Sequence, residues 1–289
     1  MNVLRSMLFV PGNNARRVEK ALSLDADAVI LDLEDAVAAG EKPAARSAVA
    51  EALARPRAGL AYVRVNALGT EWSYRDLAEV VRPGLDGILL PKAERASDLH
   101  IADWMLGALE RERGLPPGGI DLMPIIETGR GLSAIAEICG AGARTRRVVF
   151  GAADFTLDMN MQWTRGEAEL AQARAAIVLA SRVAGLEAPI DTVWARLQDG
   201  EGLLASARTS RDMGFQGRLC IHPDQVAIVH DVFTPSAEEH ARALKIVAAF
   251  EEAERAGLAS IRVDGQFVDY PIVEKARRVV GIVKAVRRE

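Results

Sequence analysis

The chain has 289 residues, of which 49% are hydrophobic, enough for one large barrel or two ordinary domains with a sizeable core. Its 36 basic and 40 acidic residues leave a net charge of −4, which offers no electrostatic footprint for nucleic acid or an anionic membrane and favours a small-molecule partner. The two cysteines, Cys139 and Cys220, have no metal-type or redox-type spacing, and the short apolar run from Met7 to Val10 reads as neither signal peptide nor membrane span, so the expected setting is the cytoplasm.

Short apolar runs, each followed by a segment of helical period, recur along the chain. Run 6–10 ends at Pro11-Gly12 and precedes a helix over 13–23. Run 28–33 precedes a helix over 43–54, and 61–66 one over 74–81. Runs 87–91 and 122–127 precede helices over 97–113 and 132–139. Runs 147–150, 188–193 and 218–221 precede helices over 167–184, 200–213 and 223–232. Regular strand–helix alternation predicts parallel pairing with crossover helices, and eight units close a barrel: an α/β fold, a (β/α)8 TIM barrel over 1–235. An open doubly wound sheet is the alternative, but Val10-Pro-Gly-Asn-Asn14 carries one glycine where a dinucleotide fold has Gly-x-Gly-x-x-Gly. From 236 the pattern changes to a charged helix over 236–256, a hairpin over 261–268 turning at Asp264-Gly265, and a last helix over 271–288. Residues 236–289 thus read as a C-terminal helical and hairpin extension, either a lid or an oligomer arm.

In such barrels the C-terminal strand ends form the active face. There the chain places Asp32, Glu34 and Asp35 after the second run, Arg64 and Asn66 on the third, Lys92 after the fourth, Glu127 on the fifth, Asp154 after the sixth and His222 after the eighth. Buried carboxylates at the ends of two strands, Glu127 and Asp154, suit a hard divalent cation with positions left open for substrate; as helix caps or solvated loop acids they would be unremarkable. Period-two alternation sends Asp32 and Glu34 to one side, either to orient Arg64 and metal-bound water or to cap the next helix. Arg64 either pairs with those acids or presents its fork to a substrate oxygen. Lys92 raises Schiff-base chemistry as a rival. His222, held before Pro223, either caps the eighth helix or touches ligand. Asp269 reads as a helix cap ahead of Pro271.

Taken together, Arg5-Ser-Met-Leu-Phe-Val-Pro-Gly12, Asp32-Leu-Glu-Asp-Ala-Val37, Val63-Arg-Val-Asn66, Pro124-Ile-Ile-Glu-Thr128, Gly151-Ala-Ala-Asp154 and Ile221-His-Pro223 resemble the citrate lyase β-subunit-like family within the HpcH/HpaI aldolase superfamily. That resemblance implies a TIM barrel binding Mg²⁺ through Glu127 and Asp154 and using Arg64 on the substrate. It also implies substrate or CoA contacts from Phe9 and Lys20. The matching arginine of some malyl-CoA lyases is Asn14 here, a departure from the pattern that puts that contact in question. Gly265-Gln-Phe-Val-Asp-Tyr-Pro271 resembles the family's C-terminal motif, whose aspartate, here Asp269, reaches an active site, often that of a neighbouring subunit. The implied activity is lysis or formation of the carbon–carbon bond of a malyl-CoA, citramalyl-CoA or citryl-CoA type thioester, giving acetyl-CoA and a 2-oxo acid, in a homotrimer or hexamer. A lyase-complex subunit served by an acyl-carrier protein, or a catalytically silent ligand-binding relative, are the other readings.

Overall fold

The computed structural model describes residues 3–142 and 144–287. By its contacts the chain divides into two compact units, Leu4–Val229 and a smaller one of Met1–Val3 with His230–Glu289.

The larger unit is built from β1 (Ser6–Pro11), α1 (Ala15–Leu22), β2 (Ala28–Asp32), α2 (Lys42–Ala52), β3 (Leu60–Arg64), α3 (Ser73–Val80), β4 (Gly87–Leu90), α4 (Ala96–Glu112), β5 (Asp121–Ile126), α5 (Gly129–Ser133), α6 (Ile135–Cys139), β6 (Val149–Phe150), α7 (Ala152–Asp158), α8 (Ala171–Val183), β7 (Ile190–Asp191), α9 (Gly200–Met213) and β8 (Gly217–Cys220), and α10 (Asp224–Phe233) follows it. The eight strands pair in sequence order, all parallel, and β1 closes on β8 with Met7 opposite Leu219. The predicted TIM barrel is therefore what the chain forms. Side chains alternate across each strand, so every second residue points into the bore. Met7, Ala28, Ile30, Tyr62, Leu89, Met123, Ile125, Val149, Ile190 and Leu219 pack there as one buried apolar cluster.

Helix starts follow local capping chemistry. Asn14 Oδ1 accepts the Arg17 N–H at 3.0 Å and opens α1. Thr128 Oγ1 accepts the Gly131 N–H at 3.0 Å, so a helix begins at Gly129 rather than at 132, and the expected single helix over 132–139 is instead two short ones. The sixth strand is shorter than its apolar run suggests. It ends at Phe150, and Asp154, expected at a strand end, stands in the first turn of α7.

The second unit holds α11 (Ala237–Arg255), β9 (Ile261–Val263), β10 (Gln266–Val268) and α12 (Tyr270–Arg287). Ser236 and Glu239 form a reciprocal capping box at the start of α11. Asp264 and Gly265 both take positive φ, 49° and 78°, the turn that joins two antiparallel strands most tightly. Ala243, Ile246, Phe250, Val263, Val268, Val273 and Ala276 make this unit's own core. Among the described residues no helix is long and apolar enough to cross a membrane.

Candidate active site

The inward parity that fills the bore with apolar residues turns polar at the mouth: Met7 is followed by Phe9, Ile30 by Asp32, Tyr62 by Arg64 and Ile125 by Glu127. Asp32 and Arg64 are register partners on β2 and β3. Their side chains form a two-pronged pair, Arg64 Nε to Asp32 Oδ1 at 2.7 Å and Nη2 to Oδ2 at 2.6 Å. Glu34 Oε2 lies 3.0 Å from Arg64 Nη1, an ion pair out of line for a hydrogen bond, which leaves that buried oxygen without one. Arg64 also stacks its guanidinium over the Phe9 ring at 4.8 Å. Asp32 accepts the Glu34 and Ala36 N–H groups as well, so it braces the β2 loop rather than capping α2.

Lys92 occupies the left-handed region, with φ 50°, a conformation that costs a non-glycine residue about 1 kcal/mol or more. In return its N–H reaches Glu127 Oε1 at 2.8 Å while its ammonium reaches Glu34 Oε1 at 2.6 Å. Burial works against the Lys92 charge, but the Glu34 hydrogen bond and the charges of Glu34, Glu127 and Asp35 outweigh it, so the ammonium is held above its usual range. A Schiff base needs a free amine, and the ion pair with Glu34 favours the ammonium instead. Burial likewise opposes the Arg64 charge, and Asp32 and Glu34 overcome it.

Glu127 is only 2% exposed. Burial first, then the neighbouring charges of Glu34 and Asp154, pushes its carboxyl up to about 8. Glu34 is also raised, by burial that Arg64 and Lys92 do not fully offset. Gly151 is required for this crowding, since a Cβ there would stand 2.7 Å from Glu127 Oε2. Among the described residues no group of three or more His, Cys, Asp or Glu side chains is arranged to hold a metal. The pair Glu127 and Asp154 nevertheless suits a hard divalent cation, which would offset the negative potential around Glu127 and leave coordination positions to substrate and water.

A cavity of about 400 Å³ adjoins this cluster through Phe9 and brings Lys20 and His222 together with Arg17 and Pro11. The His222 ring accepts the Asp224 N–H through Nδ1 at 3.3 Å, so it caps α10 and faces the cavity at once. A second cavity, of about 340 Å³, opens beside Lys92 and is lined by Ala67, Gly69 and Arg95. Asp269 belongs to the other unit, where Oδ1 accepts the Ile272 N–H at 3.4 Å and caps α12.

Two residues that bear on the site escaped the sequence reading. Lys42 is buried and donates to Leu33 O, Glu34 O and Asn66 Oδ1 at 2.8, 2.8 and 2.7 Å, which fixes the loop presenting Glu34. Asp76 accepts the Asn66 N–H and amide and pairs with Arg46. Lys42 stands just before the helix expected over 43–54 and Asp76 inside the one over 74–81, and no motif marks either, so only the three-dimensional contacts distinguish them.

A closed eight-stranded parallel barrel whose mouth gathers buried carboxylates around an arginine has the architecture of a barrel enzyme. Residues 5–223 match the family described as HpcH/HpaI aldolase/citrate lyase, and the chain belongs to that family of carbon–carbon lyases. It is 38% identical to the citrate lyase subunit beta of Leuconostoc mesenteroides subsp. cremoris, over 97% of this chain and 93% of that one. It is 37% identical to a (3S)-malyl-CoA thioesterase of Cereibacter sphaeroides, over 98% and 95%. Among solved structures, protein CitE from Mycobacterium tuberculosis in complex with magnesium, acetoacetate and coenzyme A superposes with a TM-score of 0.75 at 32% identity, over 96% of this chain and 97% of that one.

Proposed function

We propose that the chain is a Mg²⁺-dependent lyase that breaks or forms the carbon–carbon bond of a 3-hydroxyacyl-CoA of the malyl, citramalyl or citryl type, yielding acetyl-CoA and a 2-oxo acid. The observation that carries this reading is the excess of acid at the mouth, the buried Glu127 and Glu34 with the half-buried Asp154, set against Arg64 and Lys92. Glu127 and Asp154 hold the metal, which supplies Lewis-acid polarisation of the 2-oxo acid when bound. In the cleavage direction the substrate hydroxyl loses its proton and becomes the carbonyl of the 2-oxo acid, the carbon–carbon pair passes to the thioester as an enolate, and that carbon takes a proton to give the acetyl group. Arg64 stabilises the enolate oxygen, a charge that develops only along the reaction, and Asp32 fixes the guanidinium for that task. Lys92 neutralises Glu34 and, through its N–H, orients Glu127. Phe9, Lys20 and His222 face the thioester's carrier in the cavity beside β1 and β8. Asp269, from a neighbouring copy in a homotrimer or hexamer, moves the proton at the acetyl carbon.

The resemblance to subunits named citrate lyase subunit beta favours a second reading, in which the thioester arrives on an acyl-carrier protein. One experiment separates the two. The purified chain is incubated with malyl-CoA, citramalyl-CoA and citryl-CoA, with and without Mg²⁺, and acetyl-CoA and the 2-oxo acid are measured by mass. Cleavage of a free CoA thioester that stops with chelator is expected. Turnover only of carrier-bound thioester establishes the second reading, and turnover indifferent to chelator overturns both.

A further inference from the structure

Asp154 has no side-chain hydrogen bond among the described residues, so the start of α7 has a large part in placing it. That helix has seven residues, and its N-cap is Gly151, which has no side chain with which to cap it. A capping residue is ruled out at 151 because its Cβ would stand 2.7 Å from Glu127 Oε2 and 2.8 Å from Glu127 Cβ. The acceptor comes instead from another strand. Thr192, immediately after β7, receives the Ala152 N–H on Oγ1 at 2.9 Å, and both residues are buried. The Thr192 carbonyl in turn accepts Arg218 Nε at 3.2 Å, and the Gly151 N–H donates to Ile126 O at 3.0 Å, one residue before Glu127. The turn between the two acids is therefore pinned from both sides.

We propose that Thr192 is a positioning residue, which caps α7 from the neighbouring strand and so holds Asp154 in place against Glu127 for shared binding of a divalent cation. The inference rests on the reading that these two carboxylates hold the metal. Thr192→Val preserves the shape of the side chain, removes the acceptor and leaves the Ala152 N–H buried without a partner. Thr192→Ser keeps the hydroxyl.

The test is calorimetric titration of Mg²⁺ into the metal-free full chain, with thermal melts of each variant beside it. Thr192→Val is expected to weaken Mg²⁺ binding about tenfold, the usual scale for a group that orients a metal ligand without touching the metal. Thr192→Ala, a second variant without the hydroxyl, weakens it by the same factor, and Thr192→Ser restores wild-type affinity. Wild-type affinity in the folded Val or Ala variant overturns the inference, as does a Ser variant as weak as Val. Asp154→Ala in the same titration keeps the two ideas apart. If it binds Mg²⁺ like the wild type, the metal reading itself falls; if it loses binding while Thr192→Val does not, only the role of Thr192 falls.

Discussion

Two clusters of buried charge in the same barrel are built on opposite terms. Outside β7 and β8, Asp191 and Glu167 face Arg174 and Arg218, two acids against two guanidinium groups. Arg174 pairs with Glu167 at 2.7 Å and with Asp191 at 2.9 Å, while Arg218 lies 3.3 Å from Asp191 and donates to Ser206 and Ser210. At the mouth, Asp32, Glu34 and Glu127, with Asp154 near by, outnumber Arg64 and Lys92. Burial raises the Asp191 carboxyl less than Arg218 and Arg174 lower it, so it is held below the usual range. Glu127 is driven the other way. A balanced buried network holds elements together; an unbalanced one keeps a potential ready for a cation or a developing charge.

The contrast is broken most forcefully at Asp191. Asp191→Asn leaves the fully buried Arg218 without its carboxylate partner and Arg174 with Glu167 alone, and the expected cost is roughly 3–5 kcal/mol of stability, read from urea unfolding. A loss below about 1 kcal/mol would show the network to be dispensable, since removing one partner of a buried pair normally costs more than that. Glu127→Gln should invert the pattern. Turnover falls by about 10²–10³-fold, the scale for removing one preorganised electrostatic group. The melting temperature of the metal-free chain stays level or rises, because burial, Glu34 and Asp154 all favour the neutral carboxyl, whose charge the amide shares. A marked drop in melting temperature would make Glu127 a structural residue and erase the distinction between the two clusters.

The barrel was legible in the sequence because each of its strands is an apolar run bounded by polar segments, and Gly87–Leu90 or Gly217–Cys220 can be read off almost to the residue. The Asp32–Arg64 pair was half legible: alternation puts both residues on the inward face, but their register becomes visible only once β2 lies beside β3. What escaped are charges inside helical segments. Lys42, Asp76 and Arg174 share the buried faces of their helices with Ala45 and Val49, Leu77 and Val80, and Ile177 and Ser181, but a charged side chain is expected in solvent, and nothing local shows that a strand loop or a second helix covers it. Asp154 was misplaced for a related reason: it stands four residues past the apolar run 147–150, and nothing local shows that a helix begins at Ala152 and carries it. Asp269 shows its capping role from sequence and structure alike, through the Ile272 N–H.

The smallest effect lies in acid, and its sign follows from the same comparison. Asp191 has a folded pKa below its ordinary value of 3.8, so its contribution is complete above that value and is lost as pH falls through the folded one. One linked proton changes stability by at most about 1.4 kcal/mol per pH unit. Unfolding free energies measured from pH 5 downward should therefore fall more steeply for the wild type than for Asp191→Asn, which has already lost the interaction and carries no proton to bind there. Parallel slopes for the two proteins would mean that Asp191 takes up its proton in the folded barrel as readily as in the unfolded chain, and that acid sensitivity arises at other carboxylates, such as Glu110 held low by Arg144 against its own burial.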